Sequence, residues 1–267
     1  MNLGALIART ERRLRSARLH YGHGTGNSRD EAAYLVLRGL NLPFEAPLQQ
    51  EVDERKVERL VRQRIDQRIP VAYLLKEAWL EGVPFYVDRR VIVPRSHIAA
   101  LLKELRRPVR RVLDLCTGSG CLAILAARAF PRAQVDASDV SAAALAVARK
   151  NVDKHRLRKR IRLVRSDLFA GLQDERYDLI LANPPYVSAA AMRRLPAEYR
   201  HEPGLALAAG RDGLDLVARI LAEAPSHLAV GGALVCEIGG GRAAVERRFR
   251  ALPLRWPQNE VFVLLHR

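Results

Sequence analysis

Residues 111–124 read RVLDLCTGSGCLAI, a strand-like apolar run that leads through small residues into a helix-like run. Gly118 and Gly120 permit a tight turn, and the missing side chain lets a ligand approach the backbone. Strand, glycine turn and helix in this order are typical of nucleotide-binding α/β folds. The turn also matches the G-x-G-x-x-A form of a dinucleotide site. Three interpretations therefore remain open: a site for a nicotinamide cofactor, a site for an adenosyl cofactor, and a turn that binds no ligand.

Strand-like and helix-like segments alternate from Val109 to the end of the chain. The strand-like runs are RVLDL, AQVDASD, IRLVRSD, YDLILANPPY, GALVCEIG and VFVLLHR. Alternation of this kind, with apolar strands, predicts an α/β domain whose parallel sheet is covered on both faces.

The first third of the chain has a different pattern. Residues 1–70 carry apolar residues at helical spacing, and Ser28 with Glu31 has the spacing of a capping box that starts a second helix. Residues 71–93 contain the short runs VAYLL, VPFYV and VIV, which predict a β-hairpin connector to residues 94–267.

Arginine supplies most of a strong positive charge. The 267-residue chain has 45 Lys plus Arg against 29 Asp plus Glu, which leaves a net charge of +16. Guanidinium groups bind phosphate and carboxylate, so nucleic acid, a ribonucleoprotein or an acidic surface is an expected partner. With 49% hydrophobic and 28% charged residues, the composition excludes disordered and collagen-like classes.

Cysteine spacing and hydropathy indicate neither an oxidised nor a membrane protein. Cys116, Cys121 and Cys236 form no C-x-x-C pair, so we predict no disulfide framework and no metal site. The segment MNLGALIARTERRLR (1–15) carries charge where a signal peptide needs an apolar stretch, and no apolar run is long enough to span a membrane. We therefore expect a soluble, cytoplasmic protein.

Carboxylates lie at the ends of three strand-like runs. Asp139, in DASDVS, is placed to accept hydrogen bonds from the ribose hydroxyls of an adenosine cofactor. Asp114, just before the glycine turn, could lie near a positively charged methionine portion, and Ser166 with Asp167 could recognise adenine. Asp139 would serve any adenosine cofactor, whereas Asp114 and the Ser166–Asp167 pair favour S-adenosylmethionine over a nicotinamide cofactor. The alternative for each aspartate is a solvated strand end or a helix cap.

The segment YDLILANPPYV (177–187) ends a strand-like run with Asn183, Pro184, Pro185 and Tyr186. Two prolines fix φ and remove backbone donors, which leaves carbonyl oxygens beside an amide and an aromatic face. Such a corner presents hydrogen-bond acceptors to a planar NH₂ group. The alternative interpretation is a proline-stiffened turn that binds nothing.

These motifs resemble the HemK group of class I methyltransferases, which methylate the side-chain amide of glutamine in proteins. The resemblance covers almost the whole chain and is strongest to the PrmB type, whose substrate is the third protein of the large ribosomal subunit. The matching segments include YGHGTGNSRDEA (21–32), RIPVAYL (68–74), FYVDRRVIVPRS (85–96), DLCTGSGCLAI (114–124), NPPYVSAAAM (183–192) and EYRHEPGLALAAGRDGL (198–214). NPPY by itself also occurs in amino-methyltransferases of adenine in DNA and RNA.

The resemblance implies a Rossmann-like class I methyltransferase fold, with a mostly parallel seven-stranded sheet whose last strand is antiparallel. Residues 1–70 would be a helical substrate-recognition domain, 71–93 the hairpin, and 94–267 the methyltransferase domain. The cofactor would be S-adenosyl-L-methionine, bound by Asp114, Thr117, Gly118, Ser119, Gly120, Asp139, Asp167, Leu168 and Asn183. The catalytic residues would be Asn183, Pro184 and Tyr186, which would bind the substrate together with Pro185.

The sequence departs from the group in the segment after VPRS. His97 and Ala100 stand where the PrmB type usually has Pro and Glu. We therefore expect the contribution of this loop to the pocket to differ from that in the group.

A carboxamide nitrogen is a poor nucleophile because its lone pair is delocalised into the carbonyl group. We expect the Asn183 side-chain oxygen and the Pro184 carbonyl to accept the two amide hydrogens, while Tyr186 packs on the flat amide. The lone pair is then held toward the methyl donor. The proton can leave after transfer, so no catalytic His or Cys is expected.

Basic residues form three clusters, namely Arg9, Arg12, Arg13 and Arg15; Arg106, Arg107, Arg110 and Arg111; and Arg149 through Arg165. Such runs are usually solvated helix faces. With a net charge of +16, some of them are also candidates to dock ribosomal RNA on an assembling particle.

Other functions remain open from the sequence. The nearest is methylation of a release-factor glutamine, followed by transfer to the amino group of a flipped adenine base. A non-catalytic RNA-binding assembly factor could keep the fold without the reaction. An NAD-linked oxidoreductase is compatible with the glycine motif alone.

Overall fold

Four helices form the N-terminal region of the chain. The structure is a computed structural model, and it describes residues 1–105 and 108–266. The helices are α1 (Leu3–Ser16), α2 (Ser28–Gly39), α3 (Arg55–Asp66) and α4 (Val71–Leu75). The first three share a small apolar core of their own, which includes Leu3, Leu6, Leu35, Val57 and Val61.

The start of α2 differs from the predicted capping box. Asn27 is the N-cap residue, and its side-chain oxygen accepts the backbone N–H of Asp30 at 2.9 Å. Ser28 is the first residue inside the helix. Glu31 is buried and accepts a 2.6 Å hydrogen bond from Nε of Arg64. The capping-box spacing therefore predicts that a helix starts here, but the N-cap is Asn27 instead of Ser28, because an Asn precedes the Ser.

Residues 71–93 contain a β-hairpin, but their first apolar run is helical. Strands β1 (Glu77–Leu80) and β2 (Val83–Tyr86) pair antiparallel around Glu81 and Gly82, both of which have positive φ. The run VAYLL, expected to be strand-like, forms α4. Five apolar residues have no periodicity that separates helix from strand, and Pro70 before them suits the start of a helix.

Seven strands form one sheet in the rest of the chain. They are β3 (Arg111–Leu115), β4 (Gln134–Asp139), β5 (Ile161–Arg165), β6 (Tyr177–Ala182), β7 (Leu228–Glu237), β8 (Arg255–Gln258) and β9 (Val261–Leu265). Their order is β5-β4-β3-β6-β7-β9-β8, in which β3 to β7 are parallel and β9 is antiparallel to both neighbours. This confirms the predicted sheet and its antiparallel last strand. Strand β8 was missed because RWPQ is a short edge strand that contains proline.

Helices cover both faces of the sheet. They are α5 (Ile98–Leu101), α6 (Cys121–Ala129), α7 (Ala142–Lys154), α8 (Ala189–Met192), α9 (Asp215–His227) and α10 (Arg242–Arg248), with 3₁₀ helices at Ala197–His201 and Gly204–Ala206. Neighbouring residues of β3 serve opposite faces: Val112 packs in the core with α6 and Leu113 in the core with α9. Because both faces of the central strands are buried, these strands appear in the sequence as nearly continuous apolar runs. Within the described ranges, no helix combines the length and the apolar character needed to cross a bilayer.

The central strands β3 and β6 lie side by side, although the chain leaves β3 toward β4 on the other flank. This is a topological switch point, where ligands bind beyond the carboxyl ends of the strands. The glycine turn follows β3, Asp139 is the last residue of β4, and Asp167 and Asn183 follow β5 and β6. The fold therefore brings all four to one edge of the sheet.

Candidate active site

A cavity of about 320 Å³ opens at the carboxyl edge of the sheet. Five of the predicted cofactor residues line it, namely Gly118, Asp139, Asp167, Leu168 and Asn183. Apolar side chains, among them Val91, Ile92 and Leu216, complete its wall. A cavity that combines apolar walls with a few polar groups is typical of a cofactor site.

Asp139 connects the ends of two strands and faces the cavity. Its Oδ2 accepts the backbone N–H of Gly118 at 2.9 Å, and its Oδ1 accepts that of Ser141 at 2.9 Å. Burial raises the pKa of this carboxyl group. A carboxylate has about four acceptor positions, so two remain for the hydroxyls of a ribose.

Four of the predicted cofactor residues do not line this cavity, namely Asp114, Thr117, Ser119 and Gly120. Oδ2 of Asp114 accepts the hydroxyl of Thr117 at 2.5 Å and the backbone N–H of Ala123 at 3.0 Å. Gly120 has a φ of 80°, and a Cβ there would lie 3.2 Å from Cβ of Ala148. These residues shape the turn on which Gly118 reaches the cavity.

Asp114 has an unusual environment. It is buried, and its second oxygen, Oδ1, has no hydrogen-bond partner among the described residues. Burial raises the pKa of this carboxyl group to about 7. A buried acceptor without a donor is costly, and a cation at the glycine turn would satisfy it. The α-ammonium group of S-adenosylmethionine is such a cation, so Asp114 and Asp139 together fit that molecule.

Asp167 lies at the rim of the cavity. Its side chain is 57% exposed, and the Arg219 guanidinium donates two hydrogen bonds of 3.0 Å to its carboxylate. Leu168, which follows it, is buried with a φ of 48°. Arg219 also lines the cavity, so it competes with an adenine for this carboxylate.

A second cavity, of about 190 Å³, adjoins the first. Asn183, Pro184, Pro185 and Tyr186, the residues predicted from the sequence to bind the substrate, all line it. Asn183 and Pro185 also line the first cavity. The corner after β6, which consists of Asn183, Pro184 and Pro185, therefore lies between the larger cavity and a smaller one that can hold a carboxamide side chain.

Asn183 is oriented by the loop that precedes α5. Its Nδ2 donates to the backbone carbonyl of Arg95 at 3.2 Å, which leaves Oδ1 available as an acceptor. Pro184 and Pro185 are buried, so the corner is held by packing as well as by their fixed φ. The acceptor role expected of this amide requires an available Oδ1 of this kind.

The Tyr186 ring packs against Gly239, at a position where a side chain on residue 239 would collide with it. A Cβ at Gly239 would lie 2.7 Å from Cε2 of the Tyr186 ring. Burial raises the pKa of the Tyr186 hydroxyl to about 12, so the side chain is neutral at physiological pH. A flat neutral ring on the wall of the second cavity suits a planar amide.

Three residues near the second cavity were missed in the sequence. Both Nη atoms of Arg95 donate to the Glu202 carboxylate at 2.6 Å, and the guanidinium lies 5.5 Å from the ring centroid of Tyr199. Arg95 and Tyr199 line the cavity. Arg95 and Glu202 lie in VPRS and EYRHEP, two segments that match the group. Nothing in either segment indicates that these residues, 107 positions apart, form an ion pair.

His97 and Ala100 lie outside both cavity walls. The loop is anchored instead by the Ser96 hydroxyl and the His97 backbone N–H, which donate to Oε2 of Glu237 at 2.6 and 2.9 Å. The two departures from the group's pattern therefore lie at positions that do not form the wall of either cavity.

Comparison with known proteins agrees with this geometry. The family model described as Methyltransferase small domain matches residues 97–198. A ribosomal protein uL3 glutamine methyltransferase from Bordetella pertussis is 53% identical, over 94% of this chain and 89% of the relative. The protein of the same description from Burkholderia pseudomallei is 50% identical, over 94% of this chain and 88% of the relative.

A solved methyltransferase structure from Pyrococcus furiosus matches the fold with a TM-score of 0.52 at 17% identity, over 80% of this chain and 98% of that chain. The family match makes S-adenosylmethionine the cofactor, and the carboxylate acceptors of Asp114 and Asp139 at the glycine turn fit it. Identity near one half over almost the full length of two relatives goes well beyond a shared fold. The chain therefore belongs to the family of ribosomal protein uL3 glutamine methyltransferases.

Proposed function

We propose that this protein transfers the methyl group of S-adenosylmethionine to the side-chain amide nitrogen of a glutamine in ribosomal protein uL3. The observation that carries the proposal is the corner at Asn183–Pro185, which is shared by the cavities of about 320 and 190 Å³. It supports a geometry in which a planar amide in the smaller cavity meets a methyl donor in the larger one. Both relatives from Bordetella pertussis and Burkholderia pseudomallei are uL3 glutamine methyltransferases.

The residues of the corner act by orientation. S-adenosylmethionine held in the larger cavity beside Asp139 would supply an electrophilic methyl group, with its sulfur as the leaving group. Oδ1 of Asn183 and the carbonyl oxygen of Pro184 accept the two amide hydrogens of the glutamine, which holds the nitrogen lone pair toward the first cavity. The nitrogen loses one proton to water after it has gained the methyl group, so no strong base is required.

A direct assay tests the activity. The purified protein is incubated with isotopically labelled S-adenosylmethionine and, in separate reactions, with uL3, a release factor and ribosomal RNA. Mass spectrometry of the uL3 peptides should show one added methyl group on a single glutamine. Label in the release factor or in RNA, with none in uL3, would overturn the proposal.

We propose that residues 1–70 recognise the protein substrate and that residues 71–93 connect them to a methyltransferase domain of residues 94–267. The N-terminal helices reach the second cavity through Glu198, which accepts hydrogen bonds from Nη1 of Arg64 at 3.2 Å and the backbone N–H of His20 at 3.0 Å. The next residue, Tyr199, lines that cavity. A photoreactive amino acid in place of Phe44, an exposed residue of this region, should cross-link to uL3.

We also propose that one basic face contacts ribosomal RNA. Residues 142–165, which comprise α7 and β5, contain nine Lys and Arg and one acidic residue, so their net charge of +8 is half that of the chain. Arg149, Lys150, Lys154 and Lys159 are exposed there. Cations on such a face can neutralise phosphates and release counterions.

The other two basic clusters are less suited to this role. Arg9, Arg13 and Arg15 are paired with Glu54, Glu58 and Glu11, respectively. Arg111 is paired with Glu175, while Arg106 and Arg107 lie outside the described residues. Neutralised arginines attract phosphate less. Arg158 and Arg162 of residues 142–165 are also paired with carboxylates, but among the described residues no ion pair involves Arg149, Lys150, Lys154 or Lys159, and these four cations favour this face.

A further inference from the structure

We infer that Glu202 is a positioning residue for methyl transfer, because it fixes the loop whose carbonyl oxygen orients the Asn183 amide. The inference rests on the proposed function and deepens it. Three steps lead from the Asn183 amide to the Glu202 carboxylate.

The first step concerns the orientation of Asn183. The oxygen and the NH₂ group of an asparagine are similar in size, so the side chain can be placed in two ways. Only one of them presents an acceptor to a substrate amide. The bond from Nδ2 to the Arg95 carbonyl, at 3.2 Å, is the contact that selects this orientation.

The second step concerns the position of that carbonyl. The Glu202 carboxylate accepts the backbone N–H of Val93 at 2.9 Å, and both Nη atoms of Arg95 at 2.6 Å. One carboxylate thus holds the main chain at Val93 and the side chain at Arg95. Bidentate, charge-assisted bonds are the most directional that a carboxylate makes, so the peptide between them has little freedom.

The third step concerns the charge of Glu202, which is only 5% exposed. His23 lies next to it, with Nε2 3.8 Å from Oε1. Burial lowers the pKa of His23 to about 3, so this ring is neutral and adds no positive charge. Arg95 therefore provides the cation that Glu202 requires, and the two side chains hold each other in place.

Glu198 offers a matched comparison on the same segment. It is 2% exposed and also accepts hydrogen bonds from an arginine and from a backbone N–H. Its partners, Arg64 and His20, belong to the N-terminal region and not to the loop of residues 93–95. A general loss of packing should follow from changing either glutamate, whereas a loss of orientation at Asn183 should follow only from changing Glu202.

The kinetic test compares Glu202→Gln with Glu198→Gln. For Glu202→Gln we expect kcat for uL3 methylation to fall by about 10- to 100-fold, since a small misplacement of a reacting group has effects of that size. Its Kd for S-adenosylmethionine, measured by equilibrium dialysis, should stay near the wild-type value. Glu198→Gln, which loosens the N-terminal region that we propose recognises uL3, should lower the melting temperature and raise KM for uL3, with a much smaller loss of kcat than Glu202→Gln. A normal kcat in Glu202→Gln, or equal losses of kcat in the two variants, would overturn the inference.

A spectroscopic test needs no substrate. In protein labelled with ¹⁵N-asparagine, the side-chain NH₂ resonance of Asn183 should shift in Glu202→Gln and stay in place in Glu198→Gln. Glu202→Asp, which keeps the charge, should shift it less and provides a second variant if the Gln protein does not fold. An unchanged resonance in both Glu202 variants would refute the positioning role. If wild-type protein fails to methylate uL3, the proposed function is wrong, and the resonance still decides the role of Glu202.

Discussion

Gly118 donates its backbone N–H to Oδ2 of Asp139 at 2.9 Å, which joins the turn after β3 to the end of β4. The same carboxylate faces the larger cavity. Asp139 therefore holds the glycine turn in shape, and we propose that it also supplies the acceptors for a ribose. A change at this residue should affect cofactor binding through both contributions.

Asp139→Asn should weaken binding of S-adenosylmethionine by about 10- to 100-fold. The amide lacks the charge and one of the two acceptor oxygens, and a hydrogen bond to a charged group is worth about 1.5–3 kcal/mol. Titration calorimetry with the cofactor measures this directly.

Asp167→Asn is the control for that measurement. The Asp167 side chain is 57% exposed and bonded to Arg219, so we expect little change in cofactor affinity. Equal weakening by the two substitutions would show instead that Asp167 recognises the adenine, as the sequence suggested.

Asn183→Ala should lower kcat by about 10²–10³, as is typical when one preorganised polar partner of a reacting group is removed. The affinity for the cofactor should change less, because Asn183 is one of many residues on the wall of the larger cavity. Turnover with labelled cofactor and uL3, combined with equilibrium dialysis, separates the two effects. Near-normal turnover would exclude Asn183 from the reaction.

Cofactor binding should strengthen as pH rises toward 7. The pKa of the Asp114 carboxyl group is about 7, so below that pH the group is mostly protonated and a bound ammonium group must displace the proton. The Kd should therefore fall by at most about tenfold per pH unit up to pH 7 and level off above it. Calorimetry across this range should show the slope in wild type and none in Asp114→Asn.

The stability of the protein without cofactor should have the opposite pH dependence. The folded state binds the Asp114 proton more tightly than the unfolded chain, in which this pKa is about 4. The contribution of Asp114 to stability is thus present at low pH and lost as pH rises from about 4 to about 7. Thermal unfolding of wild type relative to Asp114→Asn should show this loss, and parallel curves would contradict the raised pKa.

Gly239→Ala should reduce kcat by about tenfold or more, because misplacing a group at the reacting centre is costly. The new Cβ would lie 2.7 Å from the Tyr186 ring, and the φ of 56° is unfavourable for alanine. Gly240→Ala is the matched control, since a Cβ there has no neighbour within 4 Å among the described residues. Steady-state kinetics should give a lower kcat for Gly239→Ala than for Gly240→Ala. Equal kcat values would show that the position of the Tyr186 ring does not affect methyl transfer.

Local motifs could be found from the sequence, whereas contacts between distant segments could not. The glycine turn and NPPY each lie directly after an apolar strand, and parallel topology then brings Gly118 and Asn183 to one edge of the sheet. The pairing of Arg95 with Glu202 depends on how two loops pack, which periodicity does not report. The helix α4 was also missed, because Pro70 and tertiary burial decide between helix and strand for a run of five apolar residues.

The proposed RNA contact predicts a steep loss of association with salt. Binding of the protein to precursor particles of the large ribosomal subunit should weaken with a log–log slope of about −0.9 for each phosphate contacted. Reversing two exposed charges of the face of residues 142–165, with Arg149→Glu and Lys159→Glu, should reduce the magnitude of that slope by about two contacts. Arg12→Glu with Arg15→Glu changes the net charge by the same amount on α1, where the neighbouring arginines are paired with glutamates, and should leave the slope unchanged. A flat salt dependence in wild type would exclude the contact, and equal effects of the two double variants would show that only the net charge matters.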